Sequence, residues 1–393
     1  MKIQHALRPA TRLNTRFTAH SATRFTARLA TTASLASRAR ISFATLAATA
    51  AFVSLAAFAA FATPALRAAP APAFSITARF PVQTDATSYD YLRADPAARR
   101  LYLTLNKTVA VLDLDTGKQV GELTGLSRAH GVAISPDTAH GFATSGQDNK
   151  ILMFDTKTLA TIKTIDSTGS GPDGIEYDPA TKRIYVANHG SGQVTVIDPA
   201  DGSVAGTVDF GEGALEGIAF DGRGHGFVNA ENKSAVYVFD LATLKPLAKW
   251  PVAPAEGGTG LACDPATHRL FSACANNKMA VLDSDTGKLI ATPPINDDPD
   301  SIAYDPAAKR IYVPCVEGNL NIFQAQDPNT ITPLATVATK RGCRAVTLDA
   351  KTNNALTYAP DFGPAPAPVK GAPKRPRPAL KPGTFEVLVI GTK

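Results

Sequence analysis

Tyr177–Val204, "YDPATKRIYVANHGSGQVTVIDPADGSV", decides the fold. Its apolar runs "RIYVAN" and "QVTVID" are the length of short strands, and they are cut apart by Asp-Pro and Asp-Gly. Aspartate supplies a side-chain acceptor that closes a turn, proline presets the backbone angle after it, and glycine takes the left-handed position of a hairpin. In "RIYVA" and "VTVID" both alternating faces carry apolar or small residues, so both faces of the sheet need cover.

The pattern recurs. Equivalent first strands and turns begin at Tyr91, Gly131, Gly174, Gly217, Gly260, Ser301 and Ala345, spaced by 40, 43, 43, 43, 41 and 44 residues. A third strand follows in each unit ("TVAVLD", "KILMFD", "QVTVID", "AVYVFD", "KMAVLD", "NLNIF"), and a fourth follows turns such as "DTGKQVGEL" from Asp115. Four short strands in a period near 42 residues is the size of a propeller blade. The expected fold is therefore all-β: a seven-bladed β-propeller of four-stranded antiparallel blades. The seventh unit lacks a fourth strand after "TFEVLVIG" at Thr384, and an orphan strand "FSITARFPV" stands at Phe74. Pairing the two completes the last blade and removes an open edge.

"RIYVAN…GQVTVIDPADGSV" and "RIYVPC…GNLNIF" resemble the YVTN-type repeat of bacterial surface-layer and YncE-like propellers. The likeness covers about residues 74–393 and is strictest in the units at Gly174 and Ser301; "LYLTLN", "GFATSG" and "GFVNAE" depart from it. The resemblance implies an exported propeller, WD40-like in architecture and related to quinoprotein amine dehydrogenase heavy chains and lactonase-type propellers. It implies little about activity, because the architecture hosts binders, enzymes and scaffolds alike.

Charge divides the chain. The first 67 residues hold nine basic side chains and no acidic one; removing those nine from the 40 basic residues leaves 31 against 34 acidic, about −3. The basic pI near 9.1 thus belongs to the N-terminus and is no argument for nucleic acid. Residues 1–40 are rich in Arg, Ser, Thr and Ala, Ile41–Leu66 carries no charge, and "AFA" at Ala60–Ala62 fits a small-x-small cleavage site. We expect residues 1–73 to be a signal peptide, or else a retained anchor, since about 20 apolar residues span a bilayer. Either places the propeller outside the cytoplasm, periplasmic or secreted in the first case and membrane-anchored in the second. A transit peptide is the remaining alternative.

Chemistry is sought where loops converge on the axis. The residues just before the first strands are Asp90, His130, Asp173, Glu216, Thr259, Asp300 and Arg344. The turns between second and third strands add His189, Glu231 and Glu317 on the same face. Asp90, His130, Asp173, Glu216, Asp300, Arg344, His189 and Glu231 form the expected ligand-binding mouth, with His130, Asp173 and Glu216 as candidate ligands of a divalent cation. A polar, water-filled channel is the competing reading, and Arg344 is most simply an ion-pair neighbour of Asp300 and Asp90. There is no haem-attachment C-x-x-C-H, no C-x-x-C, no G-x-S-x-G and no phosphate-binding loop. Of the four cysteines, Cys315 and Cys343 are the preferred disulfide, Cys274 with Cys315 the rival, and Cys263 a small buried hydrophobe.

Asp361–Gly383, "DFGPAPAPVKGAPKRPRPALKPG", interrupts the last unit with five basic residues, one acidic residue and seven prolines. It is a solvated surface loop or an extended basic arm for an anionic envelope component. Nucleic acid is not the expected partner, because Phe362 alone offers a base something to stack on. The expected function is a binding or scaffold protein, more in keeping with a non-enzyme. A metal-assisted lactone or ester hydrolase is the alternative, and a periplasmic dehydrogenase subunit, its redox group on a partner chain, the third.

Overall fold

Seven antiparallel four-stranded sheets make up the fold in a computed structural model that describes residues 72–364 and 378–392. The expected leader or anchor, and the centre of the Pro-rich loop, lie outside the described residues. Blade one runs from Leu92 to Leu123 and blade two from Ala129 to Asp166. Blades three to six begin with Pro172–Asp178, Leu215–Phe220, Gly258–Asp264 and Ala303–Asp305. Blade seven takes Thr347–Asp349, Asn354–Ala359 and Glu386–Thr392 from the C-terminal part of the chain. Its fourth, outermost strand is Phe74–Pro81, paired from Phe74 opposite Thr392 to Pro81 opposite Glu386. The orphan strand thus closes the last blade, as expected. Each innermost strand touches the next, and that of blade seven touches that of blade one, so the ring is shut.

The turns form for the reasons legible in their residues. Asp95, Asp178, Asp264, Asp305 and Asp349 each accept the backbone N–H two residues on, through one carboxylate oxygen. The chain then needs a left-handed residue to enter the second strand. Arg99, Ala139, Lys182, His268, Lys309 and Asn353 fill that place at φ of 53–58°, where glycine would have been the easy choice. Apolar side chains fill the spaces between blades: Tyr185, Val196, Val228 and Phe239 pack between blades three and four, and Phe271, Val281, Ile311 and Phe323 between five and six. Burial on both faces of each sheet is the two-sided apolar pattern read from "RIYVA".

All four cysteines lie among the described residues and all are free thiols, which corrects the expected Cys315–Cys343 bridge and its rival. Cys274, Cys315 and Cys343 sit in three different inter-blade cores. The Cys315 thiol donates instead to the Asn296 carbonyl at 3.2 Å, and burial pushes it up to about 12. Burial likewise pushes the Cys343 thiol up to about 11. They are small core side chains, inert as nucleophiles.

Candidate functional site

Four glycines set the site's geometry. Gly131, Gly174, Gly217 and Gly260 occupy the same place near the start of the innermost strand in four successive blades. A Cβ on Gly174 would stand 2.4 Å from the Glu216 carbonyl oxygen, and one on Gly217 2.7 Å from the Leu261 nitrogen. Lacking side chains, these strands approach their neighbours backbone to backbone. The residues immediately before them, His130, Asp173, Glu216 and Thr259, are drawn towards one another with their counterparts Asp90, Asp300 and Arg344.

The result is a buried charged cluster rather than a solvated rim. Side-chain exposure is 8% for His130, 12% for Asp173, 11% for Glu216 and 15% for Asp90. His130 Nδ1 lies 2.5 Å from Asp90 Oδ2 and 3.4 Å from Asp173 Oδ2. Arg344 pairs with Asp300 at 3.1 Å and approaches Asp90 at 3.7 Å, the neighbour role expected of it. Thr259, uncharged, donates to the Pro299 carbonyl at 2.8 Å and serves the backbone.

His189 comes from the turn that follows Arg183–Asn188. That turn is pinned by His189 N–H donating to the Gly171 carbonyl and Gly190 N–H to the Ser170 carbonyl, at 2.8 and 2.9 Å. Its Nδ1 is thereby placed 2.8 Å from Glu216 Oε1. Glu231 opens a single 3-10 turn, Glu231–Lys233, near enough for its charge to act on Glu216. Glu317 stands apart, beside Asn296.

Proton affinities follow the crowding. Burial, then the charge of Glu216, pushes the Asp173 carboxyl well above its usual range. Burial and the charges of Asp300 and Asp90 do the same to Glu216. Burial lifts Asp300 to about 7 against the pull of Arg344. Asp90 goes the other way: burial would raise it, but the bond to His130 and the Arg344 charge hold it below the usual value. His130 is raised, because Asp90 and Asp173 outweigh the burial that would lower it.

The expected metal set of His130, Asp173 and Glu216 is not the one brought together. Among the described residues, donor atoms converge to within 4.8 Å in two groups that share Asp173: Asp90 with His130 and Asp173, and Asp173 with His189 and Glu216. Tyr91 is the residue that sequence reasoning missed. Its hydroxyl donates to Glu216 Oε2 at 3.1 Å, reaching from blade one to blade four across the axis. The signal was its position, a tyrosine where four of the six other blades carry glycine. Below this bridge lies a cavity of about 480 Å³, lined by Leu92, Ile175, Ile218, Leu261 and Ile302 and reaching the Asp-Pro turns at Pro179 and Pro265. Arg93 and Glu176 form an ion pair in its wall. The roots of the Pro-rich loop stand beside the cluster: Arg341 lies over Phe362, Phe362 is next to Gly342, and Tyr89 donates to the Gly342 carbonyl.

No family model matches the chain. Two curated proteins do, the uncharacterized protein YncE of Salmonella typhi and that of Salmonella typhimurium. Each is 23% identical over 249 residues, which cover 59% of this chain and 69% of the relative. Seven blades closed in a ring and this distant likeness together support a YncE-like β-propeller. Solved structures agree on the fold. A chain of Kuenenia stuttgartiensis hydrazine synthase superposes with a TM-score of 0.61 at 17% identity, over 70% of this chain and 94% of that one. The WD40 repeats of RRP9 give 0.68 at 12% identity, over 82% and 99%. The U3-55K structure gives 0.66 at 11%, over 81% and 99%. At such identities the YncE-like propeller shares a WD40-like architecture with these proteins and nothing more is carried over. Among the described residues, no helix is long and apolar enough to cross a membrane.

Proposed function

We propose that this YncE-like propeller is an exported binding protein that holds a cationic group at the acid-lined end of its axis and catalyses no reaction on it. The observation that carries this reading is the charge count of the buried cluster. The carboxyls of Asp90, Asp173, Glu216 and Asp300 share it with the Arg344 guanidinium and the imidazoles of His130 and His189, so four acids face three basic groups of which only the guanidinium is a fixed charge. Buried carboxylates in excess of fixed cations either take up protons or draw a positive charge from outside. Binding suits the site better than hydrolysis, because its hydroxyls are spent as donors, that of Tyr91 to Glu216 and that of Thr259 to the Pro299 carbonyl, and burial holds the Tyr91 phenol well above its usual range. Export rests on the basic, then uncharged, N-terminal residues. The exported propeller is periplasmic or secreted if that segment is cleaved.

Titration calorimetry of the mature chain with methylguanidinium and propylammonium, against a neutral amide of the same size, tests the reading. Saturable binding of a cation that weakens at least roughly tenfold in Asp173→Asn and Glu216→Gln supports it. Binding of the neutral amide alone, or of nothing, removes it. Turnover of aryl esters or lactones lost in Glu216→Gln would put the hydrolase in its place.

A further inference from the structure

We propose that Asp173, His189 and Glu216 form a centre for one first-row divalent cation of the manganese-to-zinc kind. The inference rests on the reading that the acid-lined mouth takes positive charge. What it adds is the identity of that charge and the atoms that hold it.

Each of the two carboxylates has one oxygen held by the protein and one left over. Asp173 Oδ2 faces the His130 imidazole at 3.4 Å, and that ring is itself held by Asp90 at 2.5 Å. Glu216 Oε2 accepts the Tyr91 hydroxyl at 3.1 Å. Glu216 Oε1 stands 2.8 Å from His189 Nδ1, and one donor atom from each of Asp173, His189 and Glu216 lies within 4.8 Å of the others. Asp173 Oδ1 is fully buried and accepts no hydrogen bond, in a residue only 9% exposed. An orphaned carboxylate oxygen at such depth is a cost that needs a compensating group.

His189 carries a second, independent sign. Its Nδ1 is 2.8 Å from Glu216 Oε1, yet the two make no hydrogen bond. Nδ1 thus has an ion-pair neighbour but no aligned hydrogen bond of its own, which leaves it open to a cation shared with Glu216. Zinc ligands at about 2.0–2.2 Å from the metal stand roughly 3.3–3.6 Å apart at tetrahedral angles, so the pair would open by about 0.5–0.8 Å to take one. The outer partners fit as well. An imidazole oriented by Asp90 behind one ligand, and a phenol behind the other, are the kind of support that fixes metal-binding carboxylates. The rival set of Asp90, His130 and Asp173 is spent on itself, since His130 Nδ1 already bonds Asp90. That places His130 behind the metal, not on it.

The ligand set also selects the ion. One imidazole and two carboxylates suit a borderline cation, whereas calcium asks for six to eight oxygens. The His189 side chain is 40% exposed, so an ion has a way in and solvent can complete its coordination.

The test is calorimetry on the full mature chain, stripped with a chelator and titrated with Zn²⁺, Mn²⁺, Ca²⁺ and Mg²⁺. Zinc or manganese should bind as one equivalent, at least roughly tenfold tighter than calcium or magnesium. His189→Ala and Asp173→Asn should each weaken it by more than about 100-fold, and Tyr91→Phe or Asp90→Asn by about tenfold, as loss of an outer partner does. His189 lies on a turn, so a cooperative melt of His189→Ala will show that the ring has formed. No zinc or manganese binding to the parent, or binding that survives His189→Ala, overturns the centre. If metals fail while methylguanidinium still binds, the centre falls and the cationic mouth stands; if both fail, both readings fall.

Discussion

A methyl group on residue 174 would stand 2.4 Å from the Glu216 carbonyl oxygen, and that oxygen belongs to backbone that cannot swing aside. Gly174→Ala should therefore destabilise the propeller by about 1–3 kcal/mol, the range for overpacking. It should also weaken any cation bound at Glu216, because the strand carrying that side chain must retreat. Urea melts and calorimetry on the one variant check both; an unchanged midpoint would show that the strands do not need this approach. The glycines are also where residue-scale reading succeeded. "GVAIS", "GIEYD", "GIAFD" and "GLACD" align by eye, so the charged residues before them could be named as a converging set. Which of them meet could not be named. Spacing along the chain says that Asp173 and Glu216 lie on adjacent blades. It does not say that the next turn, pinned at Gly171, sets His189 against Glu216 while His130 turns to Asp90.

At the scale of the hairpin, six of the seven blades spend conformational energy in the same place, and blade four avoids it with Gly224. The residue entering the second strand is left-handed, and outside glycine that conformation costs about 1–2 kcal/mol. Ala139 is exposed at φ 56° and has only a methyl group to set against that cost. Ala139→Gly should thus stabilise the fold by about 0.5–1 kcal/mol, the gain in φ exceeding the extra entropy of an unfolded glycine. Ala98, equally exposed in the turn of blade one but at negative φ, should respond to glycine by losing stability. Thermal melts of the pair decide it: equal shifts would mean that the turn's angle is not the controlling quantity. Leu159 and Leu244 show why such strain can persist. They take left-handed positions where Gly117, Gly202 and Gly287 serve other blades, and their side chains cover Gly121 and Gly206 of the preceding blade. Turn residues announced the hairpins in the sequence; the left-handed places hid there, because lysine, histidine and leucine do not advertise them.

At the scale of the ring, the join between blades seven and one carries what the others get from continuous chain. Here Arg99 reaches over to Asp349 with two bonds, 2.7 and 2.9 Å, and the Asp349 side chain is 4% exposed. Ala94 N–H donates to Thr347 Oγ1, and the Tyr358 hydroxyl donates to the Thr104 carbonyl across the same seam. Burial alone would raise the Asp349 carboxyl, but the Arg99 guanidinium and the Thr352 hydroxyl hold it below the usual value. A carboxyl depressed on folding contributes stability above its unfolded value, near 3.9, and that contribution drains away as pH falls through the folded value. Asp349→Asn should therefore cost stability at pH 7. The cost should fall below the roughly 3–5 kcal/mol of a buried pair stripped of one partner, because Asp115 still neutralises Arg99 at 2.7 Å. The gap between parent and variant should then narrow from pH 5 to pH 3 as the parent's carboxylate is titrated. Urea midpoints of both proteins across that range make the comparison, and taking their difference cancels the other carboxylates, which titrate in both. A gap that stays constant with pH would mean that Asp349 holds the seam by shape rather than by charge. The ring would then owe its closure to the pairing of Phe74–Pro81 with Glu386–Thr392 and to the apolar packing beneath it.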